Sequence, residues 1–136
     1  MRTDLGVEVH LNVPYEKALE RVLAALRKEG FGVITTIQVH DIFKEKLGRE
    51  FREYSILGAC NPQLAYRALS QRASVGLLLP CNITVERDSA RSSIVRIANP
   101  NALVAAAGLD ADKSMQDVAA EALARLTRVA ESLHSA

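Results

Sequence analysis

The sequence predicts an α+β domain of two layers, in which helices cover one face of a mostly antiparallel sheet. Stretches of alternating apolar and polar residues indicate strands, and two long stretches with helical spacing of apolar residues indicate amphipathic helices. The last two predicted strands are too close along the chain for a helical crossover, so they must form an antiparallel hairpin. Each of the two long helices needs an apolar surface to cover, and one face of the sheet supplies it. Short helices are inserted between the strands.

Size and charge narrow the class of protein. With 136 residues the chain has the size of one ordinary domain, and we expect residues 1–136 to form a single one. The formal net charge of +1 is too near neutral to attract nucleic acid or an anionic membrane. The chain start lacks the apolar core of a signal peptide, and the most apolar run, Val75 to Leu79, is too short to span a membrane. We therefore expect a cytoplasmic protein whose cysteines stay reduced.

The first half of the chain predicts three strands and two helices. In order they are an alternating strand over Leu5–Val13, a helix from Tyr15 up to Gly30, a strand over Phe31–Gln38, a helix over Val39–Leu47 and a strand over Tyr54–Ala59. Glycine at position 30 is a natural left-handed stop for the first helix. The run Phe31–Gln38 is rich in β-branched residues and has little polar alternation, which predicts a central strand of the sheet.

The second half predicts the hairpin and the second long helix. In order the elements are a short helix from Pro62, a strand over Cys81–Asp88, a strand over Ser92–Ala98 and a helix over Met115–Leu133. The apolar segment Gly76–Pro80 is either a core strand or a patch shared with another subunit, and we favour a core strand with its rim in a dimer contact. Residues Asn101–Asp112 fit a short helix or a loop. Ser114 with Asp117 predicts the cap of the last helix.

Three short runs resemble the signatures of a known family and occur in that family's order. They are Glu29–Thr35, Leu57–Pro62 and Gly76–Asn82, which read EGFGVIT, LGACNP and GLLLPCN. Over roughly residues 30–100 the chain is similar to the domain of unknown function family 302. The resemblance implies a two-layer α+β domain with helices on one face of the sheet, and it implies a homodimer. No activity is established for that family, so the resemblance implies no catalytic residue.

The same resemblance draws attention to two Cys-Asn pairs, one before a proline and one after. Both lie at predicted strand ends, where functional side chains tend to collect. Two amides could orient a polar ligand, because each both donates and accepts hydrogen bonds. We expect the two segments to meet around a small pocket, with the candidate binding residues Cys60, Asn61, Pro62, Pro80, Cys81 and Asn82.

A purely structural role competes with this interpretation. Cys81 shares its parity with Ile83 and Val85, which predicts that its side chain points into the core. An asparagine beside a proline often satisfies the backbone of a turn without any ligand.

Metal and catalytic chemistry find little support in the residues. Besides the cysteines, the candidate ligands are three histidines, His10, His40 and His134, and we expect each to be solvated. The adjacent His40 and Asp41 point about 100° apart on a helix, so they cannot act as an aligned base and orienting acid. We therefore expect no metal, no cofactor and no catalytic residue.

Three functions remain open at this stage. The first is a non-catalytic domain that binds a small polar ligand and acts as a homodimer. The second is a thiol-dependent redox protein or thiol enzyme that uses Cys60 or Cys81, which requires exposure and a lowered thiol pKa. The third is a protein-interaction module with no small ligand.

Overall fold

The computed structural model of the protein describes residues 5–135, so both ends of the predicted domain, residues 1–4 and 136, lie outside it. Within residues 5–135 the elements are, in order, β1 (Gly6–Leu11), α1 (Tyr15–Lys28), β2 (Gly32–Gln38), α2 (Val39–Leu47), β3 (Tyr54–Cys60), α3 (Pro62–Gln71), a 3₁₀ helix (Ala73–Leu78), β4 (Cys81–Ser89), β5 (Ser92–Ala98), α4 (Pro100–Ala106) and α5 (Lys113–Ser135). The predicted α+β class, with two long helices and short helices between strands, is confirmed.

The strands of the described range form one sheet in the order β1-β5-β4-β3-β2, and every neighbouring pair is antiparallel. The β4–β5 hairpin is confirmed, and Ser89 pairs with Ser92 across its turn. The predicted central position of Phe31–Gln38 is wrong, because β2 lies at an edge of the sheet. Composition reports how well a segment suits a strand, whereas strand order depends on which segments find partners.

The core lies between one sheet face and the two long helices. Val9, Val95 and Val85 are cross-strand neighbours on that face, and each is fully buried. Val22 and Leu26 of α1 belong to the same cluster, and α5 contributes its own apolar stripe, Leu126, Val129, Ala130 and Leu133. Burying one such aliphatic side chain stabilises the fold by about 1.5–3 kcal/mol. The side-chain alternation of the strands and the helical spacing therefore point to one common interior.

The ends of the long helices show which polar groups fix them. Gly30 follows α1 with a φ of 83°, as the sequence predicted for a left-handed stop. Arg125 Nη1 of α5 donates to the carbonyl oxygen of Glu29 at 3.1 Å, which ties the two helices together. Helix α5 is capped by Asp112, whose Oδ1 accepts from the N–H of Met115 at 3.2 Å. The predicted cap at Ser114 is wrong, because that residue already lies inside the helix.

One further segment, Gly76–Pro80, differs from its predicted structure, and a second, residues 101–112, is compatible by its sequence with either a helix or a loop. The apolar run Gly76–Pro80 is not a core strand: most of it lies in the 3₁₀ helix, and Leu77 is 90% exposed. This short helix connects α3 to β4 over the surface, so Leu77 points into solvent while Leu78 and Leu79 are half-buried. The ambiguous stretch 101–112 begins inside helix α4 and continues as a turn to Asp112.

The second face of the sheet carries a chain of ion pairs instead of a long helix, as far as the described residues extend. The Glu86 side chain is only 6% exposed there. Arg96 Nη1 donates to Glu86 Oε1 at 2.5 Å, and Arg52 Nε donates to the other carboxylate oxygen. Burial raises the pKa of Glu86, but the hydrogen bonds from Arg96 and Arg52 outweigh it, and the pKa is lowered.

Substituting Glu86→Gln tests this arrangement. We expect the free energy of unfolding at pH 7 to fall by about 1–2 kcal/mol, because a buried charge-assisted bond is lost. A carboxyl with a lowered folded pKa stabilises above its unfolded pKa, and this contribution disappears as pH falls through the folded value. Urea unfolding between pH 7 and pH 3 should therefore show that the variant loses less free energy of unfolding on acidification than the unmodified protein does. The exposed Glu45→Gln serves as control; equal losses in both variants would contradict the expectation.

Gly58 of β3 provides a second test, because other side chains occupy the space above it. A Cβ there would overlap the Thr35 hydroxyl and come within 2.7 Å of Pro80 Cγ, whereas a Cβ at Gly32 would meet no atom within 4 Å. We expect Gly58→Ala to destabilise the fold by about 1–3 kcal/mol through overpacking. Gly32→Ala should leave stability within about 0.5 kcal/mol. Comparable thermal unfolding of the two variants would show that the space at Gly58 is not filled.

Candidate functional site

The two Cys-Asn segments do come together at one end of the sheet. Strands β3 and β4 pair with Ala59 opposite Cys81, which puts Cys60 next to the start of β4. At this end α3, the 3₁₀ helix, α4 and α5 enclose a cavity of about 310 Å³. We call it the end cavity. Four of the six predicted site residues line it: Cys60, Asn61, Pro80 and Cys81.

The walls of the end cavity are apolar, and several of the side chains that line it are small. Besides Asn61 and the two cysteines, every lining residue is aliphatic, aromatic, methionine or proline. Phe31 forms part of the wall at the sheet, Leu64 at α3 and Met115 at α5. The alanines among the lining residues are Ala59, Ala65, Ala68, Ala119 and Ala122. A methyl group at these positions cannot fill the space between sheet and helices, so the space remains.

The end cavity reaches the surface of the described protein. Ile34 and Leu69 both line it, and they are 63% and 41% exposed. Ile34 lies where the pairing of β2 with β3 shifts register, between Val33 and Thr35. An extra residue at a bulge re-aims its side chain, and here Ile34 stands at the mouth of the cavity.

The cysteines are free, and Cys81 is set in apolar surroundings. Its side chain packs against the main core, as its parity with Ile83 predicted. Burial raises the pKa of the Cys81 thiol, and the neighbouring Cys60 raises it further. A thiol with a raised pKa has less thiolate at neutral pH, which makes it a poorer nucleophile.

The two asparagines have different surroundings. Asn61 is 9% exposed, and its Oδ1 accepts from the N–H of Leu64 at 3.2 Å, so it caps α3. Pro62 follows as the first residue of that helix and does not line the cavity. Asn82 is exposed and, next to Cys81 on β4, has the opposite parity, so it faces the other side of the sheet. The structure therefore does not bring the two amides together.

Two ion pairs hold the outer wall of the end cavity against α5. Arg67 of α3 lies 3.1 Å from Glu121, and Arg72, just after α3, lies 3.1 Å from Asp112. Behind them, Ala68, Val75 and Met115 form a small buried cluster of their own. The wall is thus a second, smaller packing unit beside the main core.

A polar cluster at the opposite end of the sheet was missed in the sequence. The Tyr15 hydroxyl is hydrogen bonded to the Ser55 hydroxyl, and the His40 ring lies edge-on to Tyr15 at 6.2 Å. His40 Nδ1 accepts from the N–H of Tyr54 at 3.0 Å, so the prediction that His40 is solvated is wrong. Tyr15 and Ser55 are 5% and 1% exposed, which leaves a substrate no access. We assign this cluster to the core.

Metal binding finds no support among the described residues, where no three His, Cys, Asp or Glu side chains lie close enough to hold an ion. In the same part of the chain, no helix is long and apolar enough to cross a membrane.

The walls that α4 and α5 contribute to the end cavity could not be foreseen from the sequence, because they depend on how distant helices pack. Only the alanine content of α5 gave a signal that some space there is left open.

Comparison with known proteins places the chain in a family. A family model described as "Domain of unknown function DUF302" matches residues 7–133. A solved structure titled "Crystal structure of uncharacterized conserved protein DUF302 from Bacillus stearothermophilus" is similar with a TM-score of 0.81 and 30% identity. The match covers 93% of this chain and 96% of that one. Among curated proteins, none matches. The chain belongs to the DUF302 family.

Proposed function

We propose that the protein is a non-catalytic binding domain that takes an apolar small molecule, or the apolar part of a larger one, into the end cavity and acts as a homodimer. The observation that carries this proposal is the apolar end cavity at the place where Cys60 and Cys81 come together. Clefts of about 300–1,000 Å³ with mostly apolar walls are the usual form of small-molecule sites.

The polarity of the walls decides the class of ligand. The sequence suggested a polar ligand held by two amides, but Asn61 Oδ1 already accepts a helix N–H and Asn82 faces away. A polar molecule in this space would lose water without gaining hydrogen bonds. An apolar molecule has no hydrogen bonds to water to lose, and its burial contributes about 25 cal/mol per Å² of apolar surface.

The volume sets the size of the ligand. Since an apolar protein cavity of about 150 Å³ can hold benzene, a space of 310 Å³ suits roughly a dozen non-hydrogen atoms. At about 0.3 kcal/mol per atom, a dozen atoms contribute about 3.6 kcal/mol, which corresponds to a dissociation constant of about 2 mM. Larger molecules would extend through the mouth at Ile34 and Leu69.

Homodimer formation is supported by apolar side chains that the single chain leaves in water. Four of them follow closely along β2 and α2: Ile34, Ile37, Ile42 and Leu47, which are 42–64% exposed. Exposed apolar groups concentrated in one part of a protein mark an interaction surface.

The cytoplasm remains the proposed compartment, because the free thiols of Cys60 and Cys81 stay reduced there.

Binding of 2-naphthol, compared with glucose of similar size, tests the ligand class. We expect the fluorescence of 2-naphthol to be quenched or shifted when it binds, and we expect it to raise the melting temperature of the protein. Glucose should have no effect on that temperature. Ala65→Phe should abolish binding, because the new ring fills the end cavity from α3. The control Ala120→Phe adds the same ring to the exposed side of α5 and should leave binding unchanged. Binding of glucose, or of neither probe, would overturn the proposal; the latter result favours an interaction module.

Thiol reactivity separates this function from a thiol enzyme. In a Cys60→Ser variant, we expect iodoacetamide to alkylate Cys81 more slowly in the folded protein than in urea. The raised pKa lowers the thiolate fraction, so the folded-state rate should rise only at higher pH than the unfolded-state rate. Mass spectrometry of timed samples measures both rates. Faster alkylation of the folded protein at neutral pH would favour redox or nucleophilic chemistry instead.

A further inference from the structure

The outer edge of β2 is unusually unprotected. Natural edge strands are shielded by lysines, prolines, inward charges or short length, because their free N–H and C=O groups otherwise recruit another strand. Strand β2 has seven residues, GVITTIQ, without a charge or a proline. The opposite edge strand, β1, is different, since it carries the charged Glu8, whose side chain is hydrogen bonded to His10 at 2.9 Å.

Both faces of β2 are also exposed, which does not suit its composition. Thr36 has the parity of the buried Leu57 opposite it, yet it is exposed because the helix layer does not extend this far. On the other face Ile37 pairs with Ile56 and is 42% exposed. Runs of β-branched residues with little alternation are typical of strands that are covered on both faces. The sequence of β2 therefore suits a strand covered by more protein than one chain provides.

We infer that a second copy of the chain pairs its β2 with this β2, antiparallel about a two-fold axis, so that the two sheets become continuous. An uncharged strand is complementary to itself, both in charge and in the alternating donors and acceptors of an antiparallel ladder. The pairing uses the part of β2 beyond its register shift, Thr35–Gln38, which pairs regularly with β3. Helix α2 follows at once and adds exposed Ile42 and Leu47 to the interface.

This interface bears directly on the end cavity. Ile34 lines the cavity, is 63% exposed and lies beside the paired segment, so the second copy covers one side of the mouth. This step rests on the proposed binding function, whereas the strand pairing does not. The binding site is then complete only in the dimer.

Sedimentation of charge variants tests the interface. We expect the unmodified chain to sediment with twice its mass of 14.8 kDa. Ile37→Lys and Thr36→Lys each place like charges across the two-fold axis and should weaken the dimer at least about tenfold. His10→Lys puts a lysine on the other edge strand and should leave the dimer intact. Circular dichroism checks that each variant is folded, and two independent β2 variants guard against one that fails to fold.

The outcomes separate the two proposals. A monomeric unmodified chain overturns the dimer altogether, and a dimer that survives both β2 lysines shows that the interface lies elsewhere. A His10→Lys variant that also dissociates would equally contradict a β2 interface. If 2-naphthol binds the monomeric Ile37→Lys variant several-fold less tightly than it binds the dimer, the second copy closes the mouth. Equal affinity for both overturns that closure alone, and no binding to either overturns the binding function while leaving the interface.

Discussion

The packing of α1 and α5 on a single sheet face is the interaction on which the rest of the structure depends. Residues such as Val9, Val85, Leu26 and Val129 are fully or almost fully buried there, and apolar burial of this kind is the dominant stabilising contribution to folding. Helices α1 and α5, however, cover the sheet only as far as the first residues of β2, where Val33 still packs against the core. The rest of β2 projects beyond them, which leaves Thr36 and Ile37 exposed.

The same limit explains why a cavity forms at one end. Where α1 no longer reaches, α3, the 3₁₀ helix, α4 and the first half of α5 close the sheet, and they do so with alanines and with a small cluster around Val75. A core of this kind does not reach the packing density of the main interior, in which long aliphatic side chains interdigitate. The protein thus has one dense layer interface and one loose one, and the loose one is the candidate site.

Local patterns predicted the elements of this fold well, and long-range relations poorly. Period-two alternation located β1 and β4, and helical spacing located α1 and α5, because each element buries one face. The edge position of β2 and the 3₁₀ helix at Gly76 escaped notice, since apolar content does not say which surface a segment faces. The meeting of Cys60 with Cys81 was foreseen, but the separation of Asn61 from Asn82 was not, although strand parity implies it.

The ion pairs that join the wall of the end cavity to α5 have a consequence for its solution behaviour. Arg67 with Glu121, and Arg72 with Asp112, lie at the surface, so dissolved ions screen them. The apolar contacts of the main core respond to salt in the opposite sense, because many salts strengthen burial. Ionic strength therefore acts unequally on the two halves of the molecule: it loosens the attachment of α3 while leaving the helix-covered sheet firm.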